Sequence, residues 1–194
     1  MPVLKKQMWF MLAAIGTVLL ITPASRAQAA NSTIGTVAIN ATLTESLTVT
    51  VNSGAAVTIP ILPNAAVNGT ATTTNVTTTW TLKPGRTSVA VWAYFGSATA
   101  ALVHQTAGNT TDVPSSAVKI RVGGAGAFNA LTNVSPFNAA ASGLQIGPSI
   151  AITGANKNSS RTDTLAYQID TTVVPQLQAD TYIGTLNIEA QATP

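Results

Sequence analysis

The chain has 194 residues, of which 46% are hydrophobic and only 8% charged, against roughly a quarter charged in an ordinary soluble domain. It holds no cysteine and a single histidine, which excludes disulfide staples and the nitrogen and sulfur ligand sets of zinc sites. With 31 threonines and 5% aromatics, it is rich in β-branched residues and poor in strong helix formers, which predicts an all-β protein.

Residues 1–29 have the three parts of a secretory signal peptide, read as a helix. Lys5 and Lys6 come first, then an apolar run from Met8 to Ile21, then Ala27-Gln28-Ala29 as a small-x-small cleavage site. That run is shorter than the ~20 apolar residues a spanning helix needs. No cysteine follows it, so no lipid can be attached in the manner of a bacterial lipoprotein. Cleavage after Ala29 removes Lys5, Lys6 and Arg26 and leaves six basic residues against six acidic ones. The positive charge therefore belongs to the signal, and a nucleic-acid partner, which needs a clustered basic footprint, is not expected. Neither is a membrane contact after cleavage. The expected location is the periplasm, the cell surface or the extracellular space, with residues 30–194 as a single domain large enough to be held by its own core.

Between Val37 and Val51 apolar residues fall on odd positions, interrupted at Glu45, which predicts two consecutive strands or one long bent strand. Val57, Ile59 and Ile61 form a further run with Pro60 on its outward side, confining it to an edge or a strand end. The threonine-rich stretch 71–79 reads as strand surface. Val76, Thr78, Trp80 and Leu82 share one face, Lys83-Pro84-Gly85-Arg86 supplies a turn, and Thr87 to Phe95 is apolar on both faces. These two segments predict a hairpin whose second strand is central or covered. Trp80 and Trp92 are then core aromatics, as is Tyr182 further on. Val118, Ile120 and Val122 alternate up to a Gly123–Gly126 turn. Stripes follow at Ile146, Ile150 and Ile152, at Leu165, Tyr167 and Ile169, and at Tyr182, Leu186 and Ile188. Eight to ten short strands without a helical stripe imply a two-sheet sandwich, most simply an immunoglobulin-like Greek key.

Chemistry-bearing groups are sparse. His104, in the loop-like stretch Ala101 to Asp112, has no G-x-S-x-G serine elbow to accompany it and reads as an exposed loop residue. Asp163 and Asp170, seven apart in a strand, fall on opposite faces and do not form a glycosidase pair. The polar loop Asn156 to Asp163 lacks the spaced acids of a calcium site, and Gly123–Gly126 is followed by no Lys-Ser or Lys-Thr pair and no helix, so it is not a phosphate cradle. No catalytic residue, metal or cofactor is expected. Trp80, Trp92 and Tyr94 would make a sugar-binding platform only if exposed.

The C-terminal run Leu177-Gln178-Ala179-Asp180-Thr181-Tyr182-Ile183-Gly184-Thr185-Leu186-Asn187-Ile188-Glu189-Ala190 resembles the closing P-A-G-T-Y-x-G-T-L-x-I strand of secreted bacterial pilin-like and fimbrial β-sandwich subunits. Asp180 stands where that pattern has Gly, and the disulfide common among pilins has no cysteines here. The resemblance implies an exported immunoglobulin-like subunit that self-associates, an N-terminal extension filling the groove of the neighbouring subunit, or that meets an export chaperone. Val37, Ile39, Ala41 and Leu43 match the alternate apolar side chains of such a donor strand, or else form the first strand of their own domain. The expected function is that of a secreted structural or adhesive surface protein, not an enzyme. The alternative is a self-contained secreted binding module for carbohydrate or protein.

Overall fold

The structure, a computed structural model, describes residues 32–135 and 138–194, so the signal segment 1–29 lies outside the described residues. The described residues form these strands in chain order: β1 (Ser46–Ser53), β2 (Asn68–Thr81), β3 (Ser88–Phe95), β4 (Val103–His104), β5 (Val118–Val122), β6 (Asn129–Ala130), β7 (Asn133–Ser135), β8 (Asn138–Gln145), β9 (Ile150–Ala151), β10 (Asn158–Ile169), β11 (Tyr182–Ile183) and β12 (Asn187–Thr193). Among the described residues the only helical turns are two 3-10 segments, Ser115–Ala117 and Thr171–Val173.

One sheet runs β1-β2-β10-β5-β6 and the other β12-β3-β8-β7, with β9 also against β3; a two-stranded piece pairs β11 with β4. Every named pairing is antiparallel. The chain is all-β, and the core fills the space between the sheets. Val76, Ile120 and Leu165 from the first sheet meet Val91, Ala93 and Phe95 from the second, while Trp80, Leu82 and Val89 form a smaller cluster at one end.

This arrangement corrects the hairpin reading of 76–95. β2 and β3 are consecutive, but they lie in different sheets, because both present their apolar faces inward and so meet across the core instead of pairing edge to edge. The stretch 156–163 is also not a loop beyond its first residues. β10 begins at Asn158 and pairs with β2 over its full length, its outward positions being polar because that face is solvated. β3 is central in its sheet, as its two-sided apolar pattern requires.

Residues 42–194 form one compact unit, to which the described residues 32–41 do not belong. In the latter no strand forms, and the alternation that reads as a first strand is left unpaired: Val37 and Ile39 are 86% and 88% exposed. The strand begins only at Ser46, one residue after Glu45. There the Arg86 guanidinium donates to both carboxylate oxygens, at 3.0 and 3.3 Å, and its remaining nitrogen reaches the Ala192 carbonyl at 3.3 Å. Glu45 thus ties β1, the β2–β3 connection and β12 together at one point.

The Arg86 hydrogen bond, aided by the Lys83 backbone N–H, lowers the Glu45 pKa from 4.5 to about 2. A depressed folded-state value stabilises above the unfolded pKa and loses that stabilisation as pH falls through the folded value. Glu45→Gln should therefore lower the melting temperature at pH 7, and its difference from wild type should close between pH 4.5 and 2 in thermal melts. Inside the core, the Thr78 hydroxyl is fully buried without a protein partner among the described residues. Thr78→Val, which keeps the shape and removes the orphaned group, should raise stability by about 1 kcal/mol in denaturant unfolding.

Candidate functional site

After β1 the chain turns sharply at Gly54, where φ is +68° and a Cβ would overlap the Thr73 carbonyl. The Thr74 hydroxyl donates to the Gly54 carbonyl at 2.7 Å and fixes the turn. Residues 55–62 then run with Val57, Ile59 and Ile61 turned toward the core and Thr58, Pro60 and Leu62 exposed. This is the alternation expected of an edge strand carrying Pro60 outward, yet no described strand pairs with it. Its far end is anchored by Thr171, whose hydroxyl donates to the Leu62 carbonyl at 2.6 Å and accepts from the Ala65 N–H at 2.9 Å.

Facing this segment is the run 180–188, which leads into β12. β12 pairs with β3 on one side only, so it is an edge. Between the two lies a groove of about 760 Å³ with an apolar floor that includes Phe95, Val118, Tyr167 and Ile169, and with Leu186 and Ile188 on its β12 side. Burial raises the Tyr167 pKa, consistent with a ring set into the floor. The groove therefore lies between residues 54–61, with which no described strand pairs, and the run 180–188 that leads into the edge strand β12.

The β12 side of the slot is held rigidly. Asp180 accepts from the Asn109 side-chain amide at 2.9 Å, from the Thr106 N–H at 3.0 Å, from the Thr106 hydroxyl at 2.8 Å and from the Thr181 N–H at 2.7 Å. These bonds, the Asn109 amide first, hold its carboxyl well below the usual carboxylate range. The Tyr182 hydroxyl donates to the Gln178 carbonyl at 2.8 Å, and β11 pairs with β4. Gly184 passes so close to Ala101 that a Cβ would overlap its carbonyl oxygen. Asp180, where the pilin-like pattern has Gly, is thus a knot for the 105–109 loop, and Gly184 is a close-approach position.

The remaining singled-out residues fall elsewhere. Trp80 is buried, its indole N–H donating to the Asn156 carbonyl at 2.8 Å. Trp92 is not a core residue: it lies on the outer face of β3, half-buried, because the inner positions are taken by Val91 and Ala93. Tyr182 packs partly buried against the Val113, Ala117 and Ile169 cluster. His104 sits in β4 and is not a free loop side chain, its Nδ1 lying 2.7 Å from Asp112, which also accepts the His104 N–H at 3.1 Å. The latter bond, ahead of the ring contact, lowers the Asp112 pKa. Asp163 pairs with Arg161 at 2.8 Å and Asp170 with Lys119 at 2.9 Å, so each carboxylate has its own cation. Among the described residues no three His, Cys, Asp or Glu side chains gather in a metal-binding group.

Comparison with family models, with curated proteins and with solved structures returns no match.

Gly184→Ala should shift the chain at the Ala101 carbonyl and destabilise the protein by about 1–3 kcal/mol. Urea unfolding checks it, and an unchanged midpoint would mean that the two backbones separate freely at this point.

Proposed function

We propose that this chain is an exported structural or adhesive surface subunit that assembles by strand addition, the Val37–Leu43 segment of one copy occupying the groove of the next. The observation that carries this reading is the coexistence of an apolar groove beside residues 54–61, with which no described strand pairs, and an exposed segment whose apolar side chains alternate. Val37, Ile39, Ala41 and Leu43 fall on one side of an extended chain and span about 20 Å, close to the ~23 Å covered by residues 54–61 at ~3.3 Å per residue.

The energetics run in the same direction. Backbone groups of the incoming segment would pair with 55–62 on one side and β12 on the other, and its apolar side chains would cover the floor. Full burial of a Val, Ile or Leu side chain contributes about 1.5–3 kcal/mol, which three such residues multiply before the ordering cost of the segment is subtracted. An export chaperone that adds a strand to the same slot would compete with a second copy for it. The signal-like segment 1–29 and the resemblance of residues 177–190 to pilin-like subunits support the same reading.

The test is the mass in solution of the exported chain beside the double variant Val37→Asp, Ile39→Asp and a version lacking residues 30–43. Ladders or fibres for the wild type, with folded monomers of nearly unchanged melting temperature for both variants, are expected. A monomeric wild type, or loss of folding on truncation, would overturn the proposal.

A further inference from the structure

The opposite face of β12 carries a different kind of surface, independent of the groove. Along β3, Val89, Val91, Ala93 and Phe95 enter the core while Ala90, Trp92 and Tyr94 face outward, all three partly exposed. The register places Glu189, Trp92 and Gln145 on one rung across three strands, and Asn187, Tyr94 and Gly143 on the next. Side chains on successive rungs stand about 6.6–6.8 Å apart along the strand, and neighbours within a rung about 4.5–5.5 Å between Cβ atoms. Two aromatic rings therefore lie in line on the central strand of a sheet, flanked by amide and carboxylate groups.

These groups are held in place. The Tyr94 hydroxyl donates to one Glu189 oxygen at 2.8 Å, and this bond raises the Tyr94 pKa. The Gln145 amide nitrogen donates to the Ser149 hydroxyl at 2.9 Å. Gly143 keeps the rung bare beside Tyr94, since a Cβ there would come within 3.0 Å of the Tyr94 Cβ and 2.9 Å of the Ala93 carbonyl oxygen. Trp80 and Trp92 differ in one further respect. The Trp80 indole N–H is paired inside the protein, whereas that of Trp92 has no partner among the described residues. Buried indoles find a partner, so an outward one without a partner is a donor facing solvent.

The chemistry on these two rungs narrows what would bind. The Trp92 face offers stacking to an apolar C–H surface, and the unpaired indole N–H, the second Glu189 oxygen and the Asn187 amide offer a donor, an acceptor and both. The single charge is negative and no cation shares the two rungs, which disfavours acidic polysaccharides and phosphate-bearing ligands. We propose that Trp92, Glu189, Gln145 and Asn187, with Tyr94 fixing Glu189, form a binding platform for a neutral hexopyranose chain, with a sugar ring stacked on Trp92 and hydroxyls bonded to Glu189 and Asn187. This gives the surface subunit an adhesive face on the side of the sheet that strand addition leaves uncovered.

The full chain is titrated with cellohexaose, chitohexaose and maltohexaose, with polygalacturonate as the acidic control, by tryptophan fluorescence and calorimetry. Saturable binding of at least one neutral hexasaccharide is expected, about tenfold weaker in both Trp92→Ala and Glu189→Gln, partly restored in Trp92→Phe, and unchanged in the Val37→Asp, Ile39→Asp variant. That last comparison separates this site from the groove, since failed assembly with intact sugar binding leaves the platform standing. The proposal is overturned if no neutral hexasaccharide binds, if polygalacturonate binds equally well, or if both platform variants bind like wild type. It is equally overturned if Trp92→Ala alters only the mass in solution, which would make the face a contact between copies. Should Trp92→Ala fail to fold, Glu189→Gln and Asn187→Ala carry the decision.

Discussion

An unpaired backbone edge beside an apolar floor is the constraint on which this structure turns. Backbone N–H and C=O groups that are neither paired nor solvated cost free energy, and a sheet edge left open invites another chain. No described strand pairs with residues 55–61 and β12 pairs on one side only, and Tyr167, Phe95 and Ile169 lie between that segment and the run 180–188. Neither edge is blunted in the usual way by lysines. Pro60 is the one proline on the first edge that removes a donor, and it points away from the core. Hydrogen bonds at Gly54, Leu62 and Asp180 fix the segments on either side of the groove.

Those anchors are few because the chain has so few charges, and each is used at a junction. Glu45 and Arg86 join β1 to β12 where the exposed N-terminal segment leaves the compact unit. Thr171 secures the end of the 55–62 segment, Thr74 its beginning, and Asp180 the run opposite. The walls are thus fixed by hydrogen bonds to backbone groups, which are directional, while the floor is held by packing, which is not. This division lets the floor remain apolar and open without the edges collapsing onto each other.

Much of the fold was legible along the chain. Period-two alternation marked which side chains of 76–82, 87–95, 118–122 and 165–169 share a face, and each of those faces lies in the core. The alternation of Val37 to Leu43 was legible too, and it fits a donor strand or a first strand equally; in the structure these residues are exposed and belong to no described strand. The groove itself was not legible, since its two sides come from residues about 120 positions apart. Trp92 was misplaced because a strand apolar on both faces suggests burial on both. In β3 the outer face instead carries two partly exposed aromatics bordered by Glu189 and Gln145 from other strands.

By itself the sequence determined the class of the fold and the limits of its chemistry. Threonine-rich alternation cannot sit as helices, and a chain without cysteine and with one histidine cannot assemble thiol chemistry or an ordinary zinc site. The tertiary structure alone decided which sheet each strand joins, as with β2 and β3, and which edges stay open. The physical reason is that side-chain alternation is a local property of one strand, whereas strand partnership is settled by distant segments competing for the same backbone hydrogen bonds and the same core.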